Sequence, residues 1–209
     1  MTYRVMIVDD QYVSRKMFEL YLESSDLYEL VFSIDSAMFA DTYVLKEDID
    51  LVIMDILMED GSCGLEAARR IKKINPQVKI IAVTSMPELS WLDKARAIGV
   101  DSFWYKEASK ETILSVIQRT LTGEEVYPDR PPKVKIGQAS SYDFTPKEIA
   151  ILRLLVTGAS NAEISEALEI SVHTVKTHIK HLLAKTGYKS RTKLAIQARI
   201  TGMVIEDKD

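Results

Sequence analysis

Three aspartates that directly follow short apolar runs could together bind a divalent cation. Asp9 and Asp10 follow one run, and Asp55 follows another. If these runs are parallel strands of one sheet, their carboxyl ends share an edge and the three carboxylates converge. Like charges at that range are costly unless a hard cation neutralises them, and Mg²⁺ takes carboxylate, water and phosphate oxygens as ligands. The spacing therefore predicts a magnesium site that could handle a phosphoryl group.

Two further runs end in groups that suit the same chemistry. Thr84 ends the fourth run with a hydroxyl, and Lys106 follows the fifth with an ammonium. Each residue alone is unremarkable, because an Asp after a strand usually caps a turn and a lone Thr or Lys indicates nothing. The prediction depends on all of them reaching one edge of the sheet.

The elements that must position these groups alternate along the first 120 residues. Apolar runs alternate with helically periodic stretches, and the runs are Arg4 to Val8, Glu29 to Phe32, Leu51 to Met54, Lys79 to Val83 and Phe103 to Tyr105. Continuous apolar strands separated by helices are typical of a parallel sheet covered on both faces. We predict a doubly wound, five-stranded α/β domain.

A change in composition separates this domain from the rest. Residues 127–141 hold three of the six prolines and show no periodicity, which is typical of a linker. Four helical patterns follow, from Pro146, Asn161, Val172 and Arg191, and the second and third match a helix-turn-helix. Their predicted N-caps are Thr145 and Ser160, each with a capping-box Glu (Glu148 and Glu163), and Ser171 and Ser190. We predict a first domain at 1–123, a linker at 124–142 and an all-α, four-helix helix-turn-helix domain at 143–209.

The distribution of charged residues also differs between the two predicted domains. The net charge is -4, yet the segment from Ser171 to Arg199 carries seven cations and no acid. Such a segment favours contact with phosphates. A pure protein-interaction module would leave these cations unexplained.

Composition excludes several other classes of protein. The single cysteine, Cys63, rules out an internal disulfide and fits a reducing cytoplasm. No apolar run is long enough for a membrane span or a signal peptide. We predict a cytoplasmic protein with no membrane partner.

Motifs in both parts resemble known families. Val8-Asp-Asp10, Met54-Asp55, Val83-Thr-Ser85 and Tyr105-Lys106, on five βα units, resemble the receiver domain of two-component response regulators, a flavodoxin-like fold. Phe144-Thr-Pro-Lys-Glu, Gly158-Ala-Ser-Asn-Ala-Glu-Ile and Ser171-Val-His-Thr-Val-Lys-Thr-His resemble the LuxR-type helix-turn-helix. Together they cover nearly the whole chain and imply a NarL/FixJ-type response regulator.

The resemblance implies a role for each residue of the first site. Asp55 is the phosphoryl acceptor, Thr84 and Lys106 bind the phosphoryl group, and Thr84 with Phe103 forms a switch. Mg²⁺ is held by Asp9, Asp10, Asp55 and the backbone carbonyl of Leu57. The donor is a sensor histidine kinase, and the protein is no enzyme beyond Mg²⁺-dependent self-phosphorylation.

For the second domain, the resemblance implies binding to double-stranded promoter DNA through the helix that starts at Val172. The contact residues are Thr174, Lys176, Thr177, Lys180 and Lys185. The opposite face of this helix is predicted to be an apolar stripe that packs in the core, formed by Val172, Val175, Ile179, Leu182 and Leu183. A homodimer is implied when the protein is phosphorylated or on DNA. The helix also carries His178 and His181, but a zinc site is disfavoured because no Cys, Asp or Glu lies beside them.

The sequence departs from the receiver pattern after Asp55. The segment from Leu57 to Cys63 is one residue longer than usual and lacks the usual proline. Leu57 and Met86 place apolar side chains where some receivers have polar ones that orient water, so we expect slow hydrolysis of the acyl phosphate.

Two alternatives remain open. A Mg²⁺-dependent phosphotransferase could use the same carboxylates, although such enzymes commonly have an acid two residues after the nucleophile, where this chain has Leu57. A phosphorylation-independent DNA binder could keep the first domain as a dimerisation scaffold.

Overall fold

The apolar runs of the first part form parallel strands in a computed structural model, which describes residues 2–109 and 111–205. Within those residues, the strands make a five-stranded sheet in the order β2-β1-β3-β4-β5. They are β1 (Tyr3–Val8), β2 (Tyr28–Ile34), β3 (Leu51–Asp55), β4 (Lys79–Thr84) and β5 (Ser102–Tyr105). The strand order reverses between β1 and β3, and ligands of such sheets bind beside that point.

Helices cover both faces of the sheet. They are α1 (Tyr12–Glu23), α2 (Ala40–Lys46), α3 (Gly64–Ile74), α4 (Trp91–Ile98) and α5 (Ile113–Leu121). One core cluster joins Val5, Ile7, Leu51 and Ile53 of the strands to side chains of α1 and α5. The alternate strand residues, such as Met6 and Val52, are also fully buried. The predicted doubly wound architecture is therefore confirmed.

The chain after α5 returns to the edge of the sheet. Val126 forms a parallel bridge with Ser102, and its carbonyl accepts a hydrogen bond of 2.8 Å from the N–H of Phe103. The Val126 N–H in turn donates to the Ser102 hydroxyl at 3.0 Å. The start of the predicted linker is thus held against β5.

Contacts divide the described residues into two units, the second of which comprises Met86–Leu89 and the chain from Pro131 onward. Its helices are α6 (Pro146–Val156), α7 (Asn161–Ala167), α8 (Val172–Thr186) and α9 (Arg191–Ile200). A short hairpin, β6 (Lys135–Ile136) and β7 (Ala139–Ser140), precedes them, and Ile136 and Ala139 lie in the core of this unit. The sequence predicts no structure for this hairpin, because two-residue strands show no periodicity.

Polar caps fix where the four helices of the second unit begin. Thr145 with Glu148 and Ser160 with Glu163 form capping boxes, while Ser171 and Ser190 cap α8 and α9. These caps were predicted and are confirmed. The turn between α7 and α8 contains Glu169 at a φ of 52°, a left-handed conformation that its sequence position does not indicate.

Candidate functional site

The ends of four adjacent strands bring the predicted first site together. Asp9 follows β1, Asp55 ends β3, Thr84 ends β4 and Lys106 follows β5. The Nζ atom of Lys106 lies 2.7 Å from Oδ2 of Asp9 and 2.6 Å from Oδ2 of Asp55. The Lys106 ammonium therefore bridges two carboxylates that both lie inside the domain.

Burial controls the charge of Asp55. Its side chain is almost fully buried, and this burial raises the pKa of Asp55 to about 6, with Asp9 adding to the rise and Lys106 opposing it. Near neutral pH the carboxylate therefore remains mostly ionised, which is the form that can attack an electrophile. The cost of burying it explains why a cation beside it is needed.

Among the described residues, three neighbours besides Lys106 donate hydrogen bonds to Asp9. Its Oδ1 accepts from the Gln11 N–H at 2.9 Å, its Oδ2 from the Ser14 hydroxyl at 2.6 Å, and its backbone carbonyl from Arg15. Sequence analysis missed Ser14 and Arg15, although both lie in the first turn of the helix that follows Asp9. The bonds from Gln11 and Ser14 fix the direction of the Asp9 carboxylate.

The three aspartates suit a divalent cation. Carboxylate oxygens of Asp9, Asp10 and Asp55 all lie within 4.8 Å of one another. Oδ1 of Asp10 is buried and has no hydrogen-bond partner in the described part of the chain. An orphaned buried oxygen is costly, and a hard cation is a suitable partner for it. The residues present therefore fit Mg²⁺.

Close packing surrounds the backbone of Asp55. The N–H of Leu57 donates to Oδ1 of Asp55 at 3.3 Å. A Cβ atom on Gly64 would lie only 1.8 Å from the carbonyl oxygen of Asp55. Glycine is therefore required at position 64, a role that the sequence alone does not reveal because it depends on how α3 approaches β3.

The two predicted switch residues are both buried. Thr84 and Phe103 are each 1% exposed. The ring of Phe103 packs 5.0 Å from that of Tyr105 and 6.2 Å from that of Tyr127, measured between centroids. Core packing alone could explain Phe103, so its switch role stays a prediction.

The second candidate site lies on α8. Lys176, Thr177 and Lys180 are exposed, and neither ammonium has a hydrogen-bond or ion-pair partner among the described residues. Val175, Ile179 and Leu182 bury the opposite face. Val172, which the sequence pattern places in that apolar stripe, is instead 39% exposed because it lies in the first turn of α8.

Thr174 and Lys185, the other predicted contact residues, differ from these three. Thr174 is half-buried, and its hydroxyl lies 2.8 Å from that of Ser171. Lys185 donates to the carbonyl of Asp143 at 2.9 Å and to Oε2 of Glu148 at 2.7 Å. Its ammonium is therefore already bound within the second unit.

No support for a zinc site comes from the described residues. The rings of His178 and His181 are 6.4 Å apart and lie edge to face. Within the described ranges, the group of three side chains close enough together to hold a metal ion consists of Asp9, Asp10 and Asp55.

Comparisons with known proteins identify the family. Residues 5–118, more than half of the chain, match the family described as response regulator receiver domain. The chain belongs to this family. Residues 143–198 match a second family, described as bacterial regulatory proteins, luxR family. This response regulator therefore joins a receiver domain to a LuxR-type DNA-binding domain, an arrangement typical of transcription regulation rather than of an enzyme.

Relatives support the assignment over nearly the full length of this response regulator. The response regulator protein VraR of Staphylococcus aureus strain Mu3 is 36% identical over 206 residues, covering 95% of this chain and 97% of VraR. VraR of Staphylococcus epidermidis strain RP62A is 35% identical over 206 residues, covering 95% of this chain and 97% of that VraR.

A solved structure shares the fold of this response regulator. The structure of two RcsB dimers bound to two parallel DNAs has a TM-score of 0.65 at 20% identity, covering 95% of this chain and 98% of that one. Among the residues that our structure describes, no helix has the length and apolar character to cross a membrane.

Proposed function

We propose that this response regulator is switched by phosphorylation of Asp55 and then binds promoter DNA as a homodimer. The observation that carries the proposal is the buried Asp55 carboxylate, held 2.6 Å from Lys106 beside Asp9 and Asp10. The donor is a sensor histidine kinase. Residues 1–123 act as the receiver and 143–209 as the DNA-binding domain. The linker at 124–142 adds Val126 to the edge of the receiver's sheet and the β6/β7 hairpin to the core of the second unit.

The chain's own residues account for the transfer. An oxygen of Asp55 attacks the phosphorus of a phosphohistidine whose other ring nitrogen carries a proton. The P–N bond breaks as the P–O bond forms, and the histidine leaves as a neutral imidazole that keeps this proton. Lys106 stabilises the negative charge on the phosphoryl oxygens. Because Lys106 already bridges Asp9 and Asp55, no large movement is needed to place its ammonium.

Asp9, Asp10, Asp55 and the backbone carbonyl of Leu57 would hold Mg²⁺. When bound, the ion neutralises charge on the phosphoryl oxygens and offsets repulsion among the carboxylates.

The hydroxyl of Thr84 then donates a hydrogen bond to the phosphoryl group, and Phe103 moves with Thr84. The only reaction that we assign to the protein itself is this self-phosphorylation. We place the protein in the cytoplasm.

The exposed face of α8 is the DNA-reading surface. Lys176, Thr177 and Lys180 enter the major groove, and Thr174 lies near phosphates. A lysine can reach O6 and N7 of guanine, while a threonine contacts base edges or a thymine methyl group. A single domain of this size makes few base contacts, so two copies on half-sites about one helical turn apart supply the specificity.

Phosphorylation with acetyl phosphate and Mg²⁺, followed by intact-mass measurement and peptide mapping, tests the acceptor. Wild type and an Asp93→Ala control, which removes an exposed acid on α4, should gain one phosphoryl group. Asp55→Ala should gain none. Undiminished labelling of Asp55→Ala would refute the assignment, and no labelling of wild type would favour the phosphorylation-independent DNA binder.

A further inference from the structure

The unusual segment after Asp55 forms a closed loop. We call residues 57–63 the acceptor loop. Leu57 and Cys63 form an antiparallel bridge at its base, and the N–H of Gly64 donates to the Ile56 carbonyl at 2.9 Å. Near its tip, Gly61 has a φ of 82°. The extra residue is thus accommodated in a defined turn between β3 and α3.

Asp60 ties this loop to another part of the receiver. Its Oδ1 accepts from the N–H of Ser62 at 2.8 Å and from the hydroxyl of Ser62 at 2.7 Å. Its Oδ2 accepts from the hydroxyl of Ser36, after β2, at 2.5 Å. The Ser62 hydroxyl also accepts from the N–H of Ala37 at 3.1 Å. The bonds between Asp60 and Ser62 make a local turn, whereas the bonds from Ser36 and Ala37 fix the position of that turn.

The residue before Asp60 contacts the candidate metal site. The backbone N–H of Glu59 donates to Oδ2 of Asp10. That bond occupies one oxygen of Asp10, while Oδ1, the buried oxygen, has no partner in the described part of the chain. The acceptor loop therefore determines which oxygen of Asp10 remains available.

We propose that Asp60 is a positioning residue for the Mg²⁺ site. Anchored by Ser36, its carboxylate holds the Glu59 N–H against Oδ2 of Asp10, so that Oδ1 is presented to the cation. Asp60 is not a ligand, because its oxygens are occupied by Ser36 and Ser62 and it lies outside the cluster of three aspartates. This inference rests on the proposed Mg²⁺ site.

The test is a calorimetric Mg²⁺ titration of the unphosphorylated full-length protein. Groups that orient metal ligands typically change affinity by about tenfold or more. Asp60→Ala and Ser36→Ala should each weaken Mg²⁺ binding by about tenfold. Asp93→Ala, which removes an equally negative but distant and exposed carboxylate, should bind as wild type does. Ser36→Ala keeps the charge of Asp60, so its effect isolates the anchoring bond from electrostatic attraction.

A second readout separates positioning from general damage. The rate of phosphorylation by acetyl phosphate should recover in both variants at saturating Mg²⁺, so that the half-saturating Mg²⁺ concentration rises and the maximal rate does not fall. Unchanged Mg²⁺ affinity in Ser36→Ala and Asp60→Ala would overturn the role of Asp60 while leaving the metal site intact. A wild type that binds no Mg²⁺ would overturn the metal site and the role of Asp60 together. If Asp60→Ala does not fold, the Mg²⁺ affinity of Ser36→Ala alone decides whether Asp60 positions the site.

Discussion

The ammonium of Lys185 lies 2.7 Å from Oε2 of Glu148, a buried carboxylate of α6. The same oxygen accepts from the N–H of Thr145 at 2.8 Å. This end of α8 is therefore bound to the core of the DNA-binding unit, unlike the exposed Lys176 and Lys180. Three lysines that look equivalent in sequence thus have two different surroundings, from which we predict two different roles.

Salt dependence of DNA binding should distinguish these roles. Each lysine that contacts a phosphate contributes about one to the slope of log affinity against log salt. Lys176→Met and Lys180→Met should lower the slope by about one each, or by less where the lysine reads a base. Lys185→Met should leave the slope unchanged and destabilise the unit by about 2 kcal/mol, because it leaves a buried carboxylate with fewer partners. A slope lowered by about one in Lys185→Met would show that its ion pair with Glu148 opens on DNA.

The stability of the DNA-binding unit should fall in acid because of Glu148. Burial opposes ionisation of Glu148, but its bonds from Lys185 and Thr145 outweigh this and lower the pKa below its ordinary value of 4.5. The stabilisation is therefore present above pH 4.5 and is lost as pH falls through the lower pKa of the folded protein. Hydrogen exchange of peptides from α6 and α8, compared with Glu148→Gln at each pH, measures this. Parallel pH profiles for the two proteins would contradict the assignment.

The sequence predicts most of the fold because its signals are local. Apolar runs define β1, β3 and β4, and Ser or Thr caps define the helix starts of the second unit. The hairpin at residues 135–140 is missed, since two-residue strands carry no periodic pattern. Apolar spacing also misplaces Val172, because a residue in the first turn of a helix can face solvent.

For the site, the sequence predicts the residue types but not their partners. Strand ends bring Asp9, Asp55 and Lys106 together, as the spacing predicts. The requirement for Gly64 and the anchoring of Asp60 by Ser36 depend on distances between segments far apart in the chain. No local pattern encodes such distances.

Gly64→Ala should destabilise the receiver strongly. Its Cβ would lie 1.8 Å from the Asp55 carbonyl oxygen, so the backbone of β3 or α3 must shift. We expect a loss of about 3 kcal/mol or more, the upper range for overpacking, together with slower phosphorylation. Gly123→Ala is the control, because a Cβ there meets nothing within 4 Å although φ is 92°. Equal unfolding free energies in denaturant for the two variants would refute the steric argument.

Leu57→Asn should shorten the life of the phosphorylated state. Leu57 places an apolar side chain two residues after the acceptor, and an amide there can orient an attacking water. The decay of the phosphorylated mass over time, with Leu57→Met as an apolar control, measures the effect. Decay of wild type as fast as that of Leu57→Asn would contradict the prediction of slow hydrolysis.

Binding of the full-length protein to its operator, with and without a phosphoryl group on Asp55, tests the central claim most directly. Sedimentation of the same samples reports the oligomeric state. We predict that phosphorylation raises DNA affinity and shifts the protein from monomer toward dimer, and that Asp55→Ala shows neither change. Equal operator affinity and an unchanged mass in solution after phosphorylation would contradict control by Asp55.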